Sequence, residues 1–442
     1  MPSRFRAHLA QFLSSYGIVL VLLLLCVFFT LATVRQDAPT GASGANSVAS
    51  QLAGLPATDN VVIVIRSDPG DREFKAALEQ TLTKQGRPRP PAVEGDPPAV
   101  REGLEALQNR GEKIGTIATT AVCKDWALWT NQPTLKGLRL IAPQTERYSL
   151  FLTASNLSNI ADQIGVIALV AIGMTLVILT GGIDLSVGSL VALSAVTTAW
   201  LVQRWGGTAA NVPAMLGASL LAITLCGIVG SFSGLMVTRF RIPPFIATLA
   251  MMQVASGMAF TVAKGQTIYA LPPAITWLGR GTTVGLSNTV WLMLLCYGAA
   301  HLFLMRSIPG RNIYAVGGNA QAARLAGVSV PATILLTYIV SGAMAGVGGV
   351  ILTSQLSAGA PTYGLMYELY VIAAVVVGGT RLIGGEGRIL GTLIGAFIIA
   401  VIQNGMNLLN VEAYTQKVVL GLVILGAVLL DTLRRRQGQD SA

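Results

Sequence analysis

Long apolar runs, separated by short polar stretches, dominate the chain beyond position 156, and one more lies near the N-terminus. A helix needs roughly 20 mostly apolar residues to cross the hydrocarbon core of a bilayer. We therefore predict an all-α polytopic membrane protein of about ten transmembrane helices. These helices lie near residues 16–34, 160–180, 187–203, 214–237, 245–262, 289–305, 331–353, 367–380, 390–404 and 416–431.

The stretch between the first and second runs has a different pattern. Residues 36–50 are rich in Gly, Ala and Ser and are interpreted as a linker. The following run Val61-Val-Ile-Val-Ile65 predicts a buried strand. Strands that alternate with amphipathic helices predict a small α/β insertion. Its other predicted elements are helices over 71–85 and 100–109 and strands over 114–119 and 138–141.

Charge supports the same division of the chain. Only 11% of the residues are charged, against about a quarter in soluble proteins. Of the 20 acidic residues, 13 lie between positions 37 and 146. We expect a signal-anchor helix at 1–35, the α/β insertion at 36–149, a transmembrane domain at 150–432 and a tail at 433–442.

Arginines cluster at the ends of the predicted spans, and their positions predict the orientation. Loops rich in Lys and Arg stay in the cytoplasm. With both termini cytoplasmic, the short outside loops hold only Arg204, Lys264, Arg280 and Lys417. The insertion then lies outside the cytoplasm, and the net charge of +10 requires no nucleic acid partner. The inside arginines are Arg4, Arg6, Arg239, Arg241, Arg306, Arg311, Arg324, Arg381, Arg388, Arg434, Arg435 and Arg436.

Polar residues within the spans are candidates for lining a solute pathway. Asp184 lies in a glycine-rich segment between two runs, and a carboxylate at membrane depth is costly unless it is paired or hydrated. The alternative is that Asp184 or Ser186 caps the next helix. The amides suit a neutral, hydroxyl-rich solute, or else form interhelical hydrogen bonds. The candidates are Asp184, Ser186, Gln253, Glu368, Gln403, Asn404 and Asn407.

The longest inside loop covers residues 310–328. Asn319 is suited to cap a short helix that Gly327 ends. Such a helix has the form of a docking element, and the alternative is a surface helix without a partner. No P-loop, G-x-S-x-G or H-E-x-x-H pattern occurs in the sequence. We expect no enzyme activity, metal or cofactor in this chain.

Glycine patterns predict close contacts and a repeat. The G-x-x-x-G pairs Gly230/Gly234, Gly342/Gly346 and Gly391/Gly395 indicate helix packing. Ile178-Leu-Thr-Gly-Gly182 and Val376-Val-Gly-Gly379 resemble each other, and each follows an apolar run. Similar segments in two halves of a chain are common in transporters that contain internal repeats.

Several stretches together resemble the permease subunits of ribose-type sugar ABC importers, in the larger group that includes branched-chain amino acid permeases. The resemblance covers roughly residues 150–431. The stretches are Gly181-Gly-Ile-Asp-Leu-Ser-Val-Gly-Ser189, Ile242-Pro-Pro-Phe-Ile-Ala-Thr-Leu249, Gly265-Gln-Thr-Ile-Tyr269, Tyr314-Ala-Val-Gly-Gly-Asn-Ala-Gln-Ala-Ala-Arg-Leu-Ala-Gly327, Tyr367-Glu-Leu and Val377-Gly-Gly-Thr380.

The resemblance implies a bacterial inner-membrane conduit for a monosaccharide or similar solute. It implies a periplasmic solute-binding protein, a second permease subunit, identical or paralogous, and a separate ATPase. The ATPase would dock on a coupling loop made of Gly318, Asn319, Ala322, Ala323, Arg324, Leu325 and Gly327.

The insertion at 36–149 departs from the family pattern, in which a short loop joins the first two helices. We consider three roles for it: a tethered docking module, a partial solute-binding lobe or an inert insertion. The alternatives for the whole chain are a self-contained secondary carrier, or a permease for another solute such as a branched-chain amino acid or nucleoside.

Overall fold

The computed structural model describes residues 2–56 and 59–439, without the side chains of 2–16, 133, 146, 427, 428 and 430–439. The chain divides into two compact units. The larger unit consists of Met1–Thr33 and Phe151–Ala442, and the smaller unit of Val34–Leu150.

Helices and strands alternate in the smaller unit, whereas the larger unit is almost entirely helical. After α1 (Pro2–Ala32), the smaller unit contains β1 (Val34–Asp37), α2 (Gly41–Ala53), β2 (Val61–Ile65), α3 (Pro69–Lys84), β3 (Ala92–Glu94), α4 (Pro97–Asn109), β4 (Thr116–Thr119), α5 (Ala121–Lys124), α6 (Leu128–Asn131), β5 (Arg139–Ile141) and β6 (Glu146–Ser149). The larger unit continues with α7 (Ala154–Leu179), α8 (Val187–Arg204), α9 (Val212–Arg239), α10 (Pro244–Ala263), α11 (Trp277–Arg280), β7 (Thr282–Thr283), β8 (Leu286–Ser287), α12 (Asn288–Arg306), α13 (Ile308–Gly318), α14 (Ala320–Leu325), α15 (Val330–Leu356), α16 (Tyr367–Val377), α17 (Ile389–Leu408) and α18 (Ala413–Gln439).

Four parallel strands form the central sheet of the smaller unit, in the order β3–β2–β4–β5. All five residues of β2 are buried, as expected for a strand with helices on both faces. One face packs on α2 and α3 through Leu52 and Phe74, and the other on α4 through Leu104. Outside this sheet, β1 and β6 pair antiparallel, with Val34 opposite Ser149.

The segment 36–50, interpreted above as a linker, is largely structured. It contains the end of β1 and most of α2, whose Ala45, Val48 and Leu52 are buried. Small residues allow a close approach here, since a Cβ added to Gly44 would lie 2.3 Å from the carbonyl oxygen of Pro39. The linker interpretation is therefore wrong, because the small residues serve packing.

Helix α7 lies in the core of the larger unit, where residues 164–179 are all buried. It packs against α15, and Gly173 permits this because an added Cβ would lie 2.5 Å from the Cα of Ser341. In contrast, α9, α10 and α12 expose large apolar side chains, such as Leu220, Phe245 and Leu295. Such exposed apolar faces suit contact with lipid.

The three G-x-x-x-G pairs all lie at close helix contacts. A Cβ on Gly230 would lie 2.3 Å from the carbonyl oxygen of Tyr338, and one on Gly342 would lie 2.2 Å from that of Cys226. The first two pairs thus meet each other where α9 crosses α15. The third pair packs on α16, since a Cβ on Gly395 would lie 2.1 Å from the carbonyl oxygen of Ala374.

Among the described residues, six helices are long and apolar enough to cross a membrane, as expected of a multi-pass membrane protein: α7, α9, α10, α12, α15 and α17. Residues 17–32, α16 and residues 413–426 form shorter apolar helices. Helix α16 has 11 residues, so at about 1.5 Å per residue it covers roughly half of a 30 Å hydrocarbon core. The apolar run near 367–380 is therefore not a complete helical span.

Candidate functional site

Asp184 lies where the chain turns between α7 and α8, and it is completely buried. One carboxylate oxygen accepts hydrogen bonds from the backbone N–H of Ser186 (3.0 Å) and from its hydroxyl (2.6 Å). The other oxygen accepts a bond from the hydroxyl of Ser341 on α15 (2.8 Å). A buried charge is tolerated when it is hydrogen-bonded in this way. Asp184 thus ties this helix break to α15.

The break lies at the level of the middle of α15. Ser341 is about 16 Å along this helix from Val330, at roughly 1.5 Å per residue, and the whole helix is about 40 Å long. Irregular backbone at such a depth must be covered by protein or face a water-filled cavity. The hydroxyl of Tyr338 contributes to this cover, because it donates to the carbonyl of Ile183 (3.4 Å).

A second break separates α16 from α17. Gly379, Gly384 and Gly385 adopt positive φ there, a conformation that glycine reaches without strain. The N–H of Gly385 donates to the carbonyl of Leu179, the last residue of α7 (2.9 Å). The two breaks with similar sequences therefore contact each other directly.

Glu368 lies in the first turn of α16 and is partly buried. A Cβ added to Gly188 would lie 2.3 Å from a carboxylate oxygen of Glu368, so this carboxylate rests against the first turn of α8. A helix N-terminus favours a nearby negative charge. The structure thus brings Asp184, Ser186 and Glu368 together at the start of α8.

The four candidate amides do not join this group. Asn404 on α17 forms two reciprocal hydrogen bonds with Asn156 on α7 (3.0 and 2.8 Å). Gln403, also on α17, is buried. Asn407 is exposed and accepts a bond from Gln416 (2.8 Å). Gln253 is exposed on α10.

The segment 318–327 contains the short helix α14. The side-chain oxygen of Asn319 accepts bonds from the N–H groups of Gln321 (3.0 Å) and Ala322 (2.9 Å), so Asn319 caps α14. Gly327 has φ +85°, and the N–H of Val328 bonds to the carbonyl of Ala323 (3.0 Å), which ends the helix.

One face of α14 is anchored and the other is open. Ala323 is buried against Val316 and Val330. Gly318, Ala322 and Arg324 are exposed, and Leu325 is 90% exposed. Within the described part of the chain, nothing covers this apolar side chain.

Two residues that the sequence analysis did not single out take part in this arrangement. Ser341 is the partner of Asp184, and Gly317 lies against the end of α7. Ser341 directly precedes the G-x-x-x-G pair Gly342/Gly346. A hydroxyl next to such a helix-packing pattern is the sequence feature that could have identified it. Gly317 has no such signal, because it is one of many paired glycines.

The chain is similar to known membrane-transport proteins. Residues 156–428 match the family described as branched-chain amino acid transport system / permease component. The ribose import permease protein RbsC of Escherichia coli K12 is 43% identical over 289 residues, which are 64% of this chain and 88% of that protein. RbsC of Bacillus subtilis 168 is 42% identical over 283 residues, 64% of this chain and 86% of that protein.

The L-arabinose transport system permease protein AraH of Escherichia coli K12 is 36% identical over 290 residues, 65% of this chain and 85% of that protein. No solved structure matches the chain. The matched region contains α8 to α17 and both helix breaks, and it excludes the smaller unit. This chain therefore belongs to the branched-chain amino acid transport system permease family and is a transport permease subunit.

Proposed function

We propose that the chain forms the membrane pathway of an ABC importer for a monosaccharide. The relatives support this substrate class, since they include permeases named for ribose and L-arabinose, and the D-allose transport system permease protein AlsC of Escherichia coli K12 is 36% identical over 283 residues. Two permease subunits enclose the pathway, and a periplasmic binding protein delivers the sugar. A separate ATPase supplies the energy.

Gln253 supports a paired assembly, because an exposed amide on an otherwise apolar helix is costly in lipid.

The proposed location is the bacterial inner membrane, with ten segments at the membrane and both termini in the cytoplasm. The distribution of arginines supports this orientation. The smaller unit then lies in the periplasm as the extracytoplasmic α/β insertion.

The single observation that carries the coupling role is the open face of α14. Leu325 is 90% exposed on a capped helix outside the apolar spans. Burying a leucine side chain contributes about 1.5–3 kcal/mol, so such a residue suits the contact with a protein partner. We propose that the ATPase docks on residues 318–327.

The test is a charge placed on this face. Leu325→Asp should reduce co-purification of the ATPase by about ten-fold or more, because burial of an apolar side chain is replaced by burial of a charge. Val284→Asp is the matched control, since Val284 is 88% exposed in the β7–β8 turn, on the proposed periplasmic side. Retention of the ATPase by Leu325→Asp would exclude the docking role.

The substrate is tested by uptake into proteoliposomes that contain the complete complex. D-ribose, D-allose and L-arabinose are offered separately, and a branched-chain amino acid and a nucleoside serve as competitors. Saturable, ATP-dependent uptake of one sugar is the expected result. Uptake of the amino acid or the nucleoside instead would replace the proposed substrate class.

A further inference from the structure

Three backbone segments meet beside the 318–327 segment with no side chain between them. They are the end of α7, the end of α13 and the break between α16 and α17. Gly385 donates its N–H to the carbonyl of Leu179 (2.9 Å). A Cβ added to Gly317 would lie 1.8 Å from the same carbonyl oxygen and 2.5 Å from the nitrogen of Gly385. Only glycine therefore fits at position 317.

Direct contact between backbones makes this a stiff junction. A side chain between two segments can change rotamer and absorb a displacement, but Gly317 offers none. The neighbouring Gly318 shows that the contact is local, because a Cβ added there would meet nothing within 4 Å. A second contact also joins α13 to the break between α16 and α17, since the hydroxyl of Tyr314 on α13 donates to the carbonyl of Gly387 (3.0 Å).

The junction continues into the break between α7 and α8. Two residues after Leu179 the chain turns at Gly181, which has φ +77°. A Cβ on Gly182 would lie 2.7 Å from the hydroxyl oxygen of Tyr338. Asp184 then bonds to Ser186 and Ser341 at the start of α8. A continuous series of packed and hydrogen-bonded groups thus connects α13 with α8, and such a network is able to carry energetic coupling between distant sites.

We propose that the contact of Leu179, Gly317 and Gly385 is the joint that transmits ATPase-driven movement of residues 318–327 to the two helix breaks. Gly317 is the positioning residue of this joint, because it holds the end of α13 against both breaks at once. This inference rests on the proposed function, in which the ATPase docks on residues 318–327. It adds the route by which that docking acts on the pathway.

The test is Gly317→Ala in the complete complex of permease, ATPase and binding protein in proteoliposomes. The added methyl group must separate α13 from Leu179. We expect the ATPase to remain bound, basal ATP hydrolysis to continue, and the stimulation of hydrolysis by sugar-loaded binding protein to fall at least about ten-fold per assembled complex. A residue with only a structural role would lower the yield of the complex but leave this ratio unchanged.

The control is Gly298→Ala on α12, which is also a helical glycine and meets nothing within 4 Å. Both substitutions replace a helical glycine by the better helix former alanine, and the contact with Leu179 is present at position 317 alone. Gly298→Ala should retain stimulation within about two-fold.

If stimulation in Gly317→Ala stays within about two-fold of the parent, the contact does not transmit the movement, and the inference is wrong. The proposed function is not affected by that result. An equal loss in Gly298→Ala also overturns the inference, because the effect would not come from the contact with Leu179. If no ATPase binds the unsubstituted chain, the proposed function fails and the joint fails with it.

If Gly317→Ala does not assemble, Tyr314→Phe tests the second contact without adding volume. It removes one hydroxyl and its bond to Gly387. The expected result is a loss of stimulation by about two- to five-fold in an assembled complex, and unchanged stimulation overturns the joint.

Discussion

Replacing Asp184 by alanine is the sharpest test of whether this carboxylate holds the fold or lines the pathway. The substitution removes the acceptor of three hydrogen bonds from a site with no exposed surface. A buried donor left without an acceptor costs about 1–3 kcal/mol. The hydroxyl of Ser341 can turn to a carbonyl of its own helix, whereas the hydroxyl and the N–H of Ser186, which precedes the first turn of α8, have no helical carbonyl within reach.

We therefore expect Asp184→Ala to destabilise the larger unit by about 2–4 kcal/mol. At roughly 2–4 °C per kcal/mol, this corresponds to a decrease of about 5–15 °C in the melting temperature. Asp184→Asn keeps one acceptor oxygen and should lose less than half as much. Glu412→Ala serves as the control, since Glu412 is exposed at the start of α18.

The assay is thermal unfolding of the detergent-purified complex, with sugar uptake measured per folded molecule. A structural role lowers the melting temperature and leaves uptake per folded molecule largely intact. The reasoning is refuted if Asp184→Ala melts within about 2 °C of the parent. Loss of uptake at an unchanged melting temperature would establish the pathway role instead.

Two further substitutions test helix contacts in the same unit. Asn404→Leu should lower stability by about 1–3 kcal/mol, because the buried side-chain oxygen of Asn156 loses the donor that Asn404 provides. The double variant Asn156→Leu/Asn404→Leu should recover part of this loss in thermal unfolding. Equal melting temperatures of the single variant and the parent would show that the pair contributes nothing. Gly230→Ala should lower stability by about 1–3 kcal/mol or prevent assembly, because its methyl group would lie 2.3 Å from the carbonyl oxygen of Tyr338. The control Gly298→Ala should be tolerated, since its methyl group meets nothing within 4 Å. A normal size-exclusion profile and melting temperature for Gly230→Ala would contradict the close crossing of α9 and α15.

The positions of the helices were predictable from the sequence, but their roles were not. Long apolar runs reveal helices because lipid and protein interior are both apolar. For the same reason, the runs do not show which face contacts protein. Gln253 and Asn404 look alike in sequence, yet the first is exposed and the second forms a buried amide pair. Only the arrangement of the neighbouring helices distinguishes them.

Local chemistry was predicted better than distant contacts. Asn319 and Gly327 delimit α14 as expected, because capping depends on the nearest residues alone. The strand Val61–Ile65 is likewise present with the predicted bounds. Ser341, the partner of Asp184 on α15, and the residues that Gly317 contacts are all more than 60 positions away along the chain. Such contacts leave no periodic pattern.

The antiparallel pairing of β1 with β6 has a consequence for the use of the smaller unit. Opposed residues in such a pair have Cα atoms only about 4.5–5.5 Å apart, so the chain leaves and re-enters at almost the same point. A folded cassette with adjacent ends can replace a short connection without stretching the elements that flank it. The same geometry makes residues 34–149 exchangeable for a reporter domain or for a two-residue turn, so this point of the chain is suited to protein engineering.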